Sequence, residues 1–229
     1  MGMNKMETHG VVLRSRYEAL KKRWRTQFIL TQIFYVIVIV SLTFFIFQGK
    51  EPSESLIVEM QELDELKTKE AIYSVLRNKG LSLNQGLDIA EVTIRQSKKL
   101  DLPMSLILAV MKKESLFVPY AVSSQSAMGL MQVHPITWGE YVEKLKLNVS
   151  THAAFDPVMN IIVATHILKD LYDHYKKRMK PGSEVWESTL SAYYAGKTSL
   201  AQTGITGSHS KYVGDVNSFK EEYDKKFQN

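Results

Sequence analysis

The sequence predicts a mainly α-helical protein in which a membrane-spanning helix precedes a globular helical domain. Residues 28–47 form a run of 20 residues without a charged side chain. A helix of that length, rising about 1.5 Å per residue, crosses the roughly 30 Å hydrocarbon core of a bilayer. Beyond this run, apolar residues recur every three or four positions, which is typical of amphipathic helices, and no convincing strand pattern is present.

The excess positive charge of the chain lies beside this apolar run. The formal net charge is +5, and residues 1–27 hold seven basic and two acidic side chains, which account for all of it. Charge confined to one flank of an apolar helix indicates a membrane role and argues against nucleic-acid binding. The segment that follows residue 47 lacks a small-x-small cleavage site, so we expect an uncleaved anchor with residues 1–27 in the cytoplasm.

We divide the rest of the chain into residues 48–80, a polar hinge and a charged amphipathic helix, and residues 81–229, a helical domain. The amphipathic helix, residues 55–78, fits a stalk, a self-associating helix or the first helix packed on the domain. Further helices are expected over residues 84–99, from Pro103 to beyond Glu114, and over 125–133, 137–145, 156–179, 183–195 and 210–227. Residues 197–209 look least regular.

One acidic residue stands on an apolar helical face. Ile107, Val110, Met111 and Glu114 are spaced i, i+3, i+4 and i+7, so they share one side of a helix. Burial raises the pKa of a carboxyl group and keeps it protonated near neutral pH, which suits a general acid. The chain has no cysteine, and its six histidines lack metal-ligand spacing. We therefore expect no metal and no cofactor.

Five short motifs follow one another in a recognisable order. They are Glu114-Ser115, Ala121-Val122-Ser123, Gly129-Leu130-Met131-Gln132, Ala192-Tyr193-Tyr194-Ala195-Gly196 and Tyr212-Val213. The stretch from about Leu87 to Asp224 resembles the soluble-lytic-transglycosylase (SLT) domain of bacterial peptidoglycan lytic transglycosylases. That family shares its lysozyme-like helical fold with goose-type lysozymes. The resemblance implies such a fold for residues 81–229.

The resemblance also implies a reaction. In the family, the residue at the position of Glu114 protonates the β-1,4 glycosidic oxygen between N-acetylmuramic acid and N-acetylglucosamine. It then takes a proton from the muramoyl C6 hydroxyl, and a 1,6-anhydro ring closes without water. Ordinary glycosidases need two carboxylates, yet no acidic residue lies between Ser115 and Gly139. A hydrolytic muramidase and a non-catalytic wall-binding or assembly protein are the alternatives.

By the same resemblance, five residues are expected to bind substrate. Ser123 either orients an acyl group or satisfies loop backbone. We expect Met131 to offer an apolar surface to a sugar ring and Gln132 to bind an N-acetyl amide. We expect Tyr193 to hydrogen-bond Glu114 and favour its protonated form, and Tyr212 to line the cleft.

Three further residues of these motifs are expected to have structural roles. We expect Gly129 to allow a close backbone approach, Leu130 to pack inward, and the Ser115 hydroxyl to cap the helix end or hold the loop.

The chain departs from the family pattern at three places. Leu116 replaces a usual glycine, Val118-Pro119-Tyr120 replaces an Asn-Pro-rich turn, and Tyr194 replaces a usual asparagine, a change that can reshape the cleft wall.

These expectations place the chain, of bacterial or phage origin, in the inner (cytoplasmic) membrane as a single-pass protein with a periplasmic catalytic domain. The expected partners are peptidoglycan glycan strands and, through residues 28–47, the lipid bilayer. Secretion, conjugation or phage-entry machinery and self-association through residues 55–78 remain open alternatives, and we expect no nucleic-acid partner.

Overall fold

The computed structural model describes residues 4–47, 53–180 and 184–227. Contacts divide the chain into two compact units, Met1–Glu62 and Leu63–Asn229. The described residues form nine α-helices, which are α1 Asn4–Phe47, α2 Glu54–Leu76, α3 Leu83–Leu100, α4 Met104–Ser115, α5 Pro135–Lys144, α6 Pro157–Lys176, α7 Val185–Ala195, α8 Lys197–Thr203 and α9 Gly207–Phe227. A 3₁₀ helix covers Thr151–Phe155. The predicted mainly α class is confirmed for this described part of the chain.

Helix α1 is longer than the apolar run that the sequence marks. Its segment Lys22–Phe44 has 23 residues and a mean hydropathy of 2.0, and none of that segment is buried. Large apolar side chains along it are exposed, among them Phe28, Ile33, Val36, Ile39 and Phe44. By length and composition, this is the one helix in the described part of the chain that is apolar enough to cross a membrane.

Helix α4 lies in the core of the second unit. Residues 105–111 are all buried, and Ile107, Val110 and Met111 are completely so, as their spacing predicts. Burial extends to Leu108 and Ala109 on the other faces, because α4 contacts both α3 and α9. Helix α7 in turn contacts α6 and α9. The end of α4 therefore reaches the region where α7 and α9 meet.

Local sequence signals set several helix ends. Ser82 and Gln85 form a capping box at the start of α3, in which each side chain accepts a hydrogen bond from the other residue's backbone N–H. At the start of α6, Asp156 Oδ1 accepts from the Met159 N–H at 2.8 Å, and Pro157 occupies the first helical position. These signals explain why the predicted starts of both helices lie within one residue of the observed ones.

The predicted helix over residues 125–133 is wrong. This segment forms turns with two isolated antiparallel bridges, Val122 to Met128 and Met128 to Val133. Ser126, Gly129 and Gln132 have φ angles of 63°, 79° and 50°. This left-handed backbone interrupts any helix.

Another correction concerns residues 197–209. They hold α8 and the start of α9, where an irregular stretch was expected. The first residues of the expected hinge, 48–52, and the expected Pro181-Gly182 helix break lie outside the described residues.

Candidate active site

Glu114 occupies the last turn of α4, which ends at Ser115. The next residue, Leu116, caps the helix with φ 54°, and Phe117 follows with φ 68°. This left-handed conformation costs a residue with a side chain roughly 1–2 kcal/mol. Glycine adopts it freely, whereas Leu116 adopts it at that cost. The chain turns sharply after Glu114 even though this glycine is missing.

The closest partner of the Glu114 carboxyl is a phenol. The Tyr212 hydroxyl, carried by α9, donates to Glu114 Oε1 at 2.5 Å. Burial raises the pKa of Glu114 to about 7, while the Tyr212 hydrogen bond and the Lys113 ammonium oppose that rise. Because burial is the largest of these effects, Glu114 changes its protonation state near neutral pH.

Lys113 is the cation nearest in sequence to Glu114, and it is engaged elsewhere. Its Nζ lies 2.6 Å from Asp215 Oδ2 and 5.9 Å from the centre of the Tyr212 ring. Asp215 therefore partly offsets the positive charge beside Glu114. The pair also ties α4 to α9, which are the two helices that supply Glu114 and Tyr212.

The expectation that Tyr193 hydrogen-bonds Glu114 is wrong. The Tyr193 hydroxyl donates to the backbone carbonyl of Met131 at 2.7 Å, and Tyr212 takes the position against the carboxyl. The expected direction of the effect is also wrong, since a donor to the carboxylate favours its charged form. Tyr193 still lies close enough for the charge of Glu114 to raise the pKa of its phenol, after burial, the larger cause.

A buried asparagine that the sequence analysis did not identify fixes the loop from Met128 to Met131. Asn160 Oδ1 accepts from the Met131 N–H at 2.8 Å, and its Nδ2 donates to the carbonyls of Met128 and Ala154 at 3.0 and 2.8 Å. Gly129 passes so close that an added Cβ would lie 2.2 Å from the Ala154 oxygen. The expectation that Gly129 allows a close backbone approach is therefore confirmed.

The side chain of Met131 is completely buried. The expectation that it offers a surface to a sugar ring is contradicted, because the Asn160 and Tyr193 hydrogen bonds hold its backbone toward the core. Leu130 packs inward as predicted. The Ser115 hydroxyl donates to the Leu130 carbonyl at 2.7 Å, which gives Ser115 the structural role expected of it.

Gln132 and Ser123 hold backbone groups of the same loop. The Gln132 Nε2 donates to the carbonyls of Ala121 and Gly129 at 3.0 and 2.9 Å, which uses both amide protons and leaves Oε1 as the acceptor for a ligand. The Ser123 hydroxyl oxygen accepts from the N–H groups of Gln125 and Ala127 at 3.2 and 3.0 Å. The structure supports the backbone-satisfying alternative for Ser123 and leaves its O–H proton as a donor.

A groove of about 820 Å³ adjoins this region. Gln132, Tyr193 and Tyr194 line it, together with Glu140 and Asp170 from α5 and α6. Glu114 and Tyr212 are not among the residues that line it, and Tyr212 is only 3% exposed, so the expectation that Tyr212 lines the cleft is contradicted. The volume of the groove is within the range of ligand pockets. Among the residues that the structure describes, no group of three or more His, Asp or Glu side chains forms a candidate metal site.

Comparison with known proteins identifies the family of the helical domain. The family model described as the transglycosylase SLT domain matches residues 91–212, more than half of the chain. A membrane-bound lytic murein transglycosylase C of Mannheimia succiniciproducens is 38% identical over 107 residues, which cover 45% of this chain and 30% of that protein. The protein of the same name from Pectobacterium atrosepticum is 33% identical over 127 residues, covering 54% and 35%. The chain thus matches about a third of the length of these curated relatives.

Solved structures show the same fold. An inactive mutant of the lytic transglycosylase Slt from Pseudomonas aeruginosa superposes with a TM-score of 0.53 at 23% identity, over 60% of this chain and 24% of that one. The 70 kDa soluble lytic transglycosylase from Escherichia coli gives 0.51 at 22% identity, over 66% and 25%. The predicted lysozyme-like helical domain is confirmed, and the chain belongs to the transglycosylase SLT domain family.

Proposed function

We propose that the protein is a membrane-anchored lytic murein transglycosylase. It cleaves the β-1,4 bond between N-acetylmuramic acid and N-acetylglucosamine and leaves a 1,6-anhydro-muramoyl end. The observation that carries this proposal is the partly buried Glu114, whose pKa is raised by burial to about 7 inside a domain of the SLT family. The names of the curated relatives, membrane-bound lytic murein transglycosylase C, support the substrate and the reaction class.

Glu114 serves both halves of the reaction. In its protonated form it donates a proton to the glycosidic oxygen while the bond from that oxygen to the muramoyl C1 breaks. The resulting carboxylate then takes the proton of the C6 hydroxyl as the C6 oxygen bonds to C1. Glu114 ends protonated, and no water enters. A pKa near the working pH favours both proton transfers.

Tyr212 acts as a positioning residue in this scheme. Its hydroxyl donates a hydrogen bond to Glu114 Oε1. This bond becomes charge-assisted, and therefore stronger, once the carboxyl has lost its proton. Tyr212 therefore stabilises the ionised form of Glu114, which exists after the first proton transfer and before the carboxylate takes the C6 proton. Burial sets the resting proton on Glu114, and Tyr212 limits how tightly that proton is held.

The groove lined by Gln132, Tyr193 and Tyr194 receives the glycan strand. Gln132 Oε1 is placed to accept the N–H of an N-acetyl group, because its amide protons are already used. Tyr193 forms part of the groove wall, and Ser123 supports the loop by accepting backbone N–H groups. The buried Met131 supports this wall from behind through its backbone.

The domain order that we propose places the chemistry outside the cell. Residues 28–47 cross the inner membrane, residues 1–27 stay in the cytoplasm, and residues 48–80 connect the anchor to the catalytic domain, residues 81–229, in the periplasm. The exposed apolar segment Lys22–Phe44 and the basic charge before it support this orientation. The native chain lacks cysteine, so single cysteines introduced at Ser15 and Gln202 report the two sides. A membrane-impermeant maleimide added to spheroplasts should label only the cysteine at position 202. Labelling of the cysteine at position 15 alone would show the opposite orientation.

Product mass tests the reaction. Sacculi digested with the full chain in detergent should release muropeptides with anhydro ends, which are lighter than reducing ends by one water. The Glu114→Gln variant is the matched control and should release them at least about 100-fold more slowly. Reducing ends would establish the hydrolytic alternative. An intact sacculus that nonetheless binds the protein would establish the non-catalytic one.

A further inference from the structure

Two adjacent tyrosines at the end of α7 have different surroundings. Tyr193 directs its hydroxyl to the Met131 carbonyl and holds the loop. Tyr194 is 49% exposed and lines the groove of about 820 Å³. The hydrogen bonds to the Met131 carbonyl and to Glu114 come from Tyr193 and Tyr212, not from Tyr194. An exposed aromatic ring in the wall of a groove calls for another explanation.

Two aromatic contacts fix the ring of Tyr194. It stacks on Tyr212 with the ring centres 4.8 Å apart at 25°, and it meets His209 edge-on at 5.8 Å and 86°. His209 is itself held, since its Nδ1 accepts from the Thr206 N–H at 2.8 Å. Such contacts prefer these geometries. Tyr194 is therefore a preorganised flat surface, and binding a ligand against it costs little ordering of the side chain.

A single aromatic ring, that of Tyr212, lies between Tyr194 and the carboxyl of Glu114. Tyr212 is only 3% exposed, and it separates Tyr194 from Glu114, to which its own hydroxyl donates. The π-face of an aromatic ring carries partial negative charge. The C–H groups on one face of a pyranose carry partial positive charge and are apolar, so they match it. A neighbouring amide acceptor, Gln132 Oε1, supplies polar recognition in the same groove.

We propose that Tyr194 is the sugar-stacking residue of the groove and binds one pyranose ring against its face. The proposal rests on the proposed function, since it takes the ligand to be an amino-sugar glycan. Tyr194 contributes to binding through its face, and its hydroxyl has no part in this role.

Binding to the inactive protein tests this proposal separately from turnover. The full chain carrying Glu114→Gln is titrated by calorimetry in detergent with a purified tetrasaccharide of alternating N-acetylglucosamine and N-acetylmuramic acid. Adding Tyr194→Leu should weaken binding by about tenfold, the upper range for an aromatic contact. Adding Tyr194→Phe should leave the Kd within about twofold, because the face is kept.

Tyr120→Leu is the matched control. Tyr120 is 67% exposed, stacks on Phe155 at 6.5 Å and lines a separate depression. Its loss should leave the Kd unchanged. Melting curves establish that each variant is folded. An unchanged Kd in Tyr194→Leu, an equal loss in Tyr120→Leu or no binding to the parent chain would overturn the proposal.

Turnover kinetics separate stacking from support of Tyr212. In the otherwise native chain, Tyr194→Leu should raise KM by about the same factor as it raises the Kd. The alkaline limb of the pH-rate profile should not move. A fall in kcat with a displaced limb would mean that Tyr194 acts only by holding Tyr212 against Glu114. If the native chain yields no anhydro product while the binding difference persists, the proposed function fails and the sugar site stands.

Discussion

The second unit contains two tyrosine–carboxyl hydrogen bonds that differ mainly in their surroundings. Tyr212 donates to Glu114 at 2.5 Å and joins α9 to α4, while Tyr141 donates to Asp170 at 2.6 Å and joins α5 to α6. Lys144 binds the Asp170 carboxylate directly. The lysine beside Glu114 instead pairs with Asp215.

Burial and the placement of a cation separate the two pairs. The Asp170 side chain is 41% exposed and is in direct contact with Lys144. Glu114 lies in the core end of α4, and burial raises its pKa to about 7. For Tyr141, burial and then Asp170 raise the pKa of the phenol. The same hydrogen bond therefore belongs to a structural ion pair in one place and to a proton donor in the other.

The largest expected contrast is in the reaction rate. Glu114→Gln removes the transferable proton and should lower the rate of anhydro-muropeptide release by about 10²- to 10⁴-fold, the usual contribution of a general acid–base. Asp170→Asn, the matched change in the other pair, should lower that rate by less than about tenfold. Chromatography of sacculus digests measures both. Comparable losses would mean that Asp170 is a second reacting carboxylate.

The next contrast concerns stability and pH. The folded chain keeps a proton on Glu114 up to about pH 7, whereas the unfolded chain releases it near 4.5. The folded state therefore binds more protons between these values, so the stability contributed by protonated Glu114 is lost as pH rises. The free energy of unfolding of the native chain should fall by about 3 kcal/mol relative to Glu114→Gln between pH 4 and 8.

Denaturant unfolding of both full chains in detergent, at each pH, measures this difference. Asp170→Asn is the control on the other pair. Because it keeps Glu114, the difference in the free energy of unfolding between it and the native chain should not change with pH in this way. A constant difference between the native chain and Glu114→Gln would show that folding leaves the pKa of Glu114 near its ordinary value of 4.5.

The smallest contrast concerns the two phenols. Tyr212→Phe and Tyr141→Phe each delete one hydroxyl hydrogen bond and should each cost about 1 kcal/mol in the free energy of unfolding. Only Tyr212→Phe removes a bond that lowers the pKa of Glu114, so it alone should move the alkaline limb of the pH-rate profile upward. An upward shift in both variants, or in neither, would remove Tyr212 from its assigned role.

Local periodicity was enough to predict most helices and the burial of the face that carries Glu114. The spacing of Ile107, Val110 and Met111 needs no knowledge of the fold, and these residues are completely buried. The close approach at Gly129 was also predictable, because glycine is the residue that permits it.

The hydrogen-bond partners in the site depend on tertiary packing. Tyr212 stands 98 positions after Glu114, and no local pattern distinguishes it from Tyr193 as the partner of that carboxyl. The role of Asn160 has only a weak signal, a lone amide among the apolar residues of α6. The turn over residues 125–133 depends on left-handed backbone at Ser126 and Gln132, which sequence pattern does not reveal for residues other than glycine.

A direct titration of Glu114 tests the central claim. The δ-carbon resonance of this residue in the ¹³C-labelled full chain is identified by its disappearance in Glu114→Gln and followed by NMR from pH 3 to 9. The account predicts a midpoint of about 7, set by burial against Tyr212 and Lys113. A midpoint near the ordinary 4.5 would contradict it, because the carboxyl would then hold almost no proton to donate at neutral pH.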